Sequence, residues 1–242
     1  MEDGILKLLC TKKKTGCEYY GKKEMKFYDW LVLKFSNSII WKCATEILVN
    51  FYQKNLKLDG SKKNLNHLEV AVGTGKILHD ALEKYQKLFE NPRVEILDAS
   101  PHSLKKSREK LGKIFPEIIS HQKNILKKIG IKKKFDSIGC NFFLHCLRKK
   151  DKKTALENLS KLLKKNGKIF GSTILGKKYS PNFGARIFSE IYNLNFVGTF
   201  DNSADDEKWL ENLLLEFFEK VEIKIVGQVA MFSATGVRNF DE

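Results

Sequence analysis

His67-Leu68-Glu69-Val70-Ala71-Val72-Gly73-Thr74-Gly75 is a short apolar run that stops at two glycines, directly before residues 76–90, whose apolar positions recur at helical spacing. A run of this length reads as a strand, and the glycines as the turn into a helix. Without a Cβ each tolerates positive φ and lets the backbone come close to a ligand. The alternation continues outward. Residues 94–98 read as a strand, 101–114 as a helix, 118–121 as a short strand, Phe135–Asn141 as a strand, 152–163 as a helix and 168–175 as a strand. Short apolar strands alternating with amphipathic helices predict an α/β domain with a doubly wound, mostly parallel sheet. Two further helices, 185–193 and 205–220, lead to two consecutive strands, 221–226 and 229–234, joined at Gly227-Gln228. So short a joint makes an antiparallel hairpin and brings the expected sheet to seven strands.

Upstream of the run, residues 25–56 carry Trp30, Leu31, Leu33, Ile39, Ile40, Ala44, Ile47, Leu48 and Phe51 at helical spacing, with a break expected at Ser36-Asn37-Ser38. The pattern predicts a flexible arm over 1–25, a helical lid over 26–60, and a core over 61–242 into which a second lid segment, about 176–215, is inserted.

The 242 residues are 42% hydrophobic, which excludes a wholly disordered or collagen-like chain. Lys34, Lys42 and Glu46 interrupt the best candidate for a membrane span, and the acidic start Met1-Glu2-Asp3 is unlike a signal peptide, so a cytoplasmic protein is expected. The five cysteines, at 10, 17, 43, 140 and 146, contain no CxxC pair and point to neither a disulfide framework nor a metal site. A net charge of +15 invites a polyanion partner, but only five of the 44 Lys and Arg residues are arginine. Lysine in place of arginine is what an AT-rich genome writes into any surface, and arginine is the residue that bidentate base and phosphate readout favours. A small-molecule partner is therefore preferred to a nucleic acid, with a monomer or homodimer as the expected assembly.

Asp98 ends the next strand, 25 residues beyond Gly73, where a carboxylate can accept hydrogen bonds from both hydroxyls of a ribose. Two ligands fit that pairing: a nicotinamide dinucleotide or S-adenosylmethionine. A dinucleotide loop carries a third glycine to seat its helix, whereas here Lys76, Ile77 and Leu78 follow Gly75.

At these residues the chain resembles the class I S-adenosylmethionine-dependent methyltransferases, whose first motif is acidic–x–G–x–G–x–G. Glu69, Ala71, Gly73 and Gly75 occupy its four positions, with Ala71 in place of the first glycine. The resemblance implies that these four bind S-adenosylmethionine, that Asp98 with Ala99 takes the ribose, and that Asn124 and Ile125 lie at the adenine. Phe135–Asn141 matches the fourth-strand motif, ending on Asn141, and Leu162-Leu163-Lys164-Lys165-Asn166-Gly167-Lys168 the turn into the fifth strand. It extends to a group of small-molecule methyltransferases of bacteria and fungi through Tyr28-Asp29, Ser36-Asn37, Trp41-Lys42-Cys43, Leu144-His145-Cys146-Leu147, Gly171-Ser172-Thr173-Ile174-Leu175 and Asn193. By that likeness Tyr28, Trp41 and Lys42 line the cofactor or substrate chamber, Lys42 reaching an anionic group. The function implied is in-line methyl transfer to a small organic molecule. A nucleic-acid methyltransferase and a non-catalytic S-adenosylmethionine-binding protein are the alternatives.

His145, just past the fourth strand, is the candidate catalytic base, against an alternative as a satisfied structural histidine. Cys140 and Cys146 follow no proline, as a cytosine-attacking thiolate of this fold would, and read as buried hydrophobes; Asn141-Phe142-Phe143-Leu144 lacks the prolines of an adenine-amine motif. Trp41, Phe183, Phe188, Tyr192 and Phe196, with Tyr28, read as an aromatic chamber or as core. The runs Lys132-Lys133-Lys134, Arg148-Lys149-Lys150 and Lys152-Lys153 read as solvated surface.

Overall fold

Seven strands, β1 (Asn66–Val70), β2 (Arg93–Asp98), β3 (Ile119–Gln122), β4 (Phe135–Asn141), β5 (Leu163–Ile174), β6 (Phe218–Val226) and β7 (Val229–Val237), form one sheet in the order β3-β2-β1-β4-β5-β7-β6. They belong to a computed structural model that describes residues 37–56, 66–83, 93–115, 117–193 and 200–238. The arm 1–25, Tyr28, the start of the 26–60 segment, the loop at 57–65, the end of the helix expected over 76–90, and Phe196 lie outside the described residues.

β1 to β5 are mutually parallel, and β7 runs antiparallel to both β5 and β6, so the expected mixed sheet with its terminal hairpin is what the chain forms. Leu68, Val70, Ile138 and Cys140 on one face and Ile96 and Phe170 on the other are all buried. That is why the parallel strands read as continuous apolar runs rather than alternating ones. Helices α1 (Thr45–Leu56), α2 (Lys76–Leu82) and α3 (Pro101–Leu111) cover one face through Leu48, Tyr52, Leu56, Leu78, Leu82 and Leu111. Helices α4 (Lys149–Ser160) and α6 (Glu207–Leu215) cover the other through Leu156, Leu159, Leu210 and Leu214. Helix α5 (Phe183–Asn193) adds Ala185 to the first face. The α1 stretch of the expected 26–60 lid thus lies in the layer on the sheet, packed beside α2.

Several boundaries differ from the expected ones for local reasons. The N-terminal break falls at 41–44, after a π-helical turn at 37–40, because the Trp41 carbonyl accepts the Gln228 N–H (2.9 Å) of the β6–β7 turn and the chain must uncoil to meet it. α6 stops at Leu215 and β6 starts at Phe218, since Val221, Ile223 and Ile225 alternate as a strand does. β5 starts five residues early. Its register shifts against β4 between Phe135 and Ser137, so the residues around Asn166-Gly167 loop out of the ladder and keep the expected turn inside a longer strand.

Candidate functional site

The carboxyl ends of β1, β2 and β4 converge on one cavity, lined by residues 69–78, 97–99, 123–126 and 141–143 and by Cys146 to Arg148. A parallel sheet opens there because neighbouring strands send their following helices to different layers. Three residues of the first turn sit in the left-handed region, Ala71 (φ 52°), Gly73 (φ 55°) and Gly75 (φ 71°). The two glycines serve different ends. A Cβ on Gly75 would lie 3.1 Å from Ser107 Cβ and 3.2 Å from Leu111 Cδ1, so its bareness lets α2 pack on α3, whereas a Cβ on Gly73 would meet nothing within 4 Å. Gly73 faces the cavity. Ala71 holds the same backbone sign with a methyl group, a strain of about 1 kcal/mol fixed by its N–H bond to the Leu97 carbonyl (2.8 Å).

Asp98 is buried at the rim of this turn, its Oδ2 accepting the Gly73 N–H (3.2 Å) and its Oδ1 the Ser100 N–H (2.8 Å). Burial raises its pKa above the usual carboxylate range, against the N–H groups of Ser100, Gly73 and Ala99, which favour the charge. Ser100 then caps α3, accepting from the Ser103 N–H (3.3 Å), with Pro101 at the first helical position.

Beneath the turn lies a polar cluster. Glu69 is buried on the α1 face of β1, receiving the Tyr52 phenol at 3.0 and 3.1 Å and facing His67 Nε2 at 3.2 Å; His67 Nδ1 meets Ser137 Oγ at 2.9 Å. Phe170 stacks on the imidazole at 5.7 Å and meets the phenol edge-on at 4.7 Å. Gly139 makes the space: a Cβ there would run into Glu69 Oε2 and stand 2.6 Å from the Tyr52 hydroxyl. Tyr52, His67, Ser137 and Gly139 were not among the residues the sequence singled out for a role. The period of two that puts His67 on the same strand face as Glu69 was the available signal.

At the far wall Asn124 lines the cavity with its Oδ1 turned back onto the Leu126 N–H (2.9 Å), and Ile125 is buried beside it. Asn141 Oδ1 accepts from Ser172 Oγ (2.8 Å), whose oxygen also accepts the Phe142 N–H (3.3 Å). Phe142 is held left-handed (φ 47°), a conformation rare for an aromatic residue, and its ring lines the cavity. Behind it an aromatic row runs from His145 to Phe200 (4.5 Å), on to Tyr192 (4.7 Å) and Phe188 (6.3 Å), with Trp41 6.2 Å from Phe200. Phe183 is largely exposed on α5.

Two of the expected site residues lie away from the cavity wall. His145 is buried and absent from the cavity wall. Its Nδ1 lies 3.3 Å from the Ile174 amide nitrogen, which can only donate, so the neutral ring carries its proton on Nε2 and has no lone pair left for a substrate. Burial, with the Lys152 charge nearby, lowers its pKa to about 3. Lys42 does not line the cavity either. It is exposed, left-handed (φ 52°), and its backbone abuts Gly227 of the β6–β7 turn, outside the cavity lining.

Most of the lysine runs are exposed, as expected of solvated surface (Lys132, Lys134, Arg148, Lys149, Lys150 and Lys153), and Lys152 is the exception. Lys152 is wholly buried, ion-paired with Asp205, donating to the Asp201 carbonyl (2.5 Å) and lying 4.9 Å from the centre of the Trp209 ring. Burial lowers its pKa and raises that of Asp205. Lys133 pairs with the buried Glu95, which also faces His121 Nε2 at 2.7 Å, and Lys153 pairs with Glu216. Cys140 is buried as expected, burial pushing its thiol well up, and Cys43 is pushed up to about 11; Cys146 is half-buried at the cavity.

S-adenosylmethionine fits these donors and acceptors: a bare, left-handed Gly73 opening on the cavity, a buried carboxylate at Asp98, and a second, Glu69, on the cavity floor. A family profile described as a methyltransferase domain matches residues 68–169. The methyltransferase ctvB of Aspergillus terreus is 35% identical over 221 residues, covering 89% of this chain and 92% of its own. The physcion biosynthesis cluster O-methyltransferase of Aspergillus chevalieri is 29% identical, covering 93% and 96%. Among solved structures, magnesium protoporphyrin IX methyltransferase of Synechocystis PCC 6803, with bound S-adenosylhomocysteine, superposes with a TM-score of 0.64 at 13% identity over 90% of this chain and 96% of that one.

Proposed function

Because this chain belongs to the class I S-adenosylmethionine-dependent methyltransferases, we propose that it methylates a hydroxyl of a small organic molecule. The observation that carries the reading is the single cavity in which the Asp98–Gly73 junction and the Phe142 wall face one space. The hydroxyl is favoured by the O-methyltransferase named among the relatives. A small acceptor is favoured over a nucleic acid by the relative named for a physcion biosynthesis cluster, and Lys152 of the lysine runs is spent on Asp205 inside the fold.

On this reading Asp98 accepts from the ribose, with Ala99 beside it; Asn124 and Ile125 flank the adenine; Glu69 takes up the ammonium of the amino-acid end. Ala71, Gly73 and Gly75 shape the turn, and Asn141 with Phe142 borders the acceptor. Bound S-adenosylmethionine supplies an electrophilic methyl whose sulfonium accepts the C–S electron pair when a nucleophile approaches in line. The protein's contribution is to hold that nucleophile within about 3–3.5 Å and exclude water. With the Nδ1 lone pair of His145 committed to the Ile174 amide, the acceptor's own acidity supplies the proton step, which suits a phenol or enol. The expected lid, residues 26–60 with 176–215, belongs to the same reading. Helix α5 presents exposed Phe183, Ile187, Phe188 and Ile191 beside Tyr192, an apolar face that a cover over the acceptor would use.

The test offers methyl-labelled S-adenosylmethionine with phenolic and enolic small molecules in one arm and mixed RNA in the other, at about 150 mM salt. Label entering a small molecule supports the reading. Label entering only RNA, or no transfer despite saturating cofactor binding, overturns it.

A further inference from the structure

The cluster under the turn has one member that comes from outside the sheet. Tyr52 lies on α1, ahead of residues 68–169 that the methyltransferase profile matches, and its phenol reaches across to touch both oxygens of Glu69. We propose that Tyr52 is a positioning residue for the cofactor's amino-acid end, its O–H holding the Glu69 carboxylate in the orientation that takes up the ammonium group. The inference rests on the assignment of Glu69 made above.

The hydrogen inventory supports it. A carboxylate only accepts, so the phenol donates to it, and His67 Nε2–H donates from the other side; the remaining His67 nitrogen then accepts the Ser137 hydroxyl. The phenol and imidazole protons both point at Glu69, whose carboxylate lines the cavity floor. The phenol is kept a donor, since burial and then the Glu69 charge raise its pKa well above the usual tyrosine value. Its geometry is fixed from two more sides: Phe170 meets the ring edge-on, and bare Gly139 leaves the hydroxyl its place beside Glu69. A tyrosine that served packing alone would need none of these.

Two ligands separate positioning from packing. S-adenosylhomocysteine carries the ammonium group, whereas 5′-methylthioadenosine keeps the adenine, ribose and thioether without it. In calorimetry on the full chain, Tyr52→Phe should weaken S-adenosylhomocysteine about tenfold and leave 5′-methylthioadenosine within about twofold, as loss of one hydrogen bond to a charged group implies. In turnover the KM for S-adenosylmethionine should rise with kcat nearly unchanged. Equal weakening of both ligands, or none, overturns the proposal. Glu69→Gln is run alongside. If it leaves S-adenosylhomocysteine binding intact, the Glu69 assignment fails and takes Tyr52 with it; if it weakens binding while Tyr52→Phe does not, Tyr52 alone fails. Should Tyr52→Phe be too unstable for calorimetry, urea midpoints with and without each ligand carry the same comparison, because a ligand shifts the midpoint according to its affinity.

Discussion

Two regions of this molecule bury ionisable groups, and they do so to opposite ends. Around the β1 turn, Glu69 and Asp98 are held by a phenol, an imidazole and backbone N–H groups and face a cavity. Behind β4 and β5, Lys152 and Asp205 neutralise each other, and His145 has its acceptor nitrogen turned to the Ile174 amide. On the proposed reading the first arrangement keeps charge for a ligand, whereas the second spends its charge internally. Burial and a shifted pKa are thus shared by site and scaffold, and what distinguishes them is whether the partners lie in the chain or in the cavity.

The contrast breaks most visibly at Lys152. Lys152→Ala leaves Asp205 buried without its partner and should destabilise by about 3–5 kcal/mol in urea unfolding, whereas Lys152→Met with Asp205→Leu should recover most of that loss. If the single substitution costs under about 1 kcal/mol, the pair is not the internal clamp described. Asp98→Ala should show the reverse pattern. S-adenosylhomocysteine binding should weaken by roughly 1.5–3 kcal/mol with the loss of a charged acceptor, while the unfolding midpoint barely moves, because burial already disfavours that carboxylate's charge.

An effect that appears only as pH falls tests the histidine. The folded pKa of His145 is lowered from the usual 6.5 to about 3, so its neutral form stabilises the fold fully above pH 6.5, and the contribution is lost as pH falls from there towards 3. Relative to His145→Gln, which keeps an acceptor for Ile174, the wild-type protein should lose up to about 1.4 kcal/mol per pH unit across that window. Turnover of the variant at pH 7 should stay within about threefold; a collapse of kcat would restore the histidine as a base. The smallest effect is at the turn. Ala71→Gly removes left-handed strain but adds unfolded-state entropy, so stability should change by less than about 1 kcal/mol and cofactor affinity hardly at all.

The regions were not equally legible in the sequence. The β1 turn and Asp98 were readable because local chain geometry makes them: glycine is favoured where φ is positive, and an acid at a strand end meets the neighbouring turn through parallel pairing. The hairpin at Gly227-Gln228 was readable for the same reason. The orientation of His145 was not legible because a histidine next to a strand end looks alike whether its ring turns to the cavity or to the next strand, and Thr173 and Ile174, which receive it, lie 28 and 29 residues on. Tyr52 drew no notice because the helical spacing of Leu48 and Phe51 around it says nothing of the acid on the strand across from it. Lys152 looked like surface because nothing local to a lysine run reveals Asp205, 53 residues later.

The β6–β7 turn has a consequence for how the chain assembles. Gly227 must be bare because the Trp41 carbonyl occupies the place of its Cβ, and Gln228, fully buried, binds Trp41 with its N–H and Leu175 and Ser189 with its side chain. The contact joins a residue near the start of the described chain to one near its end, and closing so long a loop comes late, after the shorter-range pairings are in place. During synthesis the segment around Trp41 therefore leaves the ribosome well before its docking site exists. Any truncation that stops short of Gln228 strands that segment at the other end of the polypeptide.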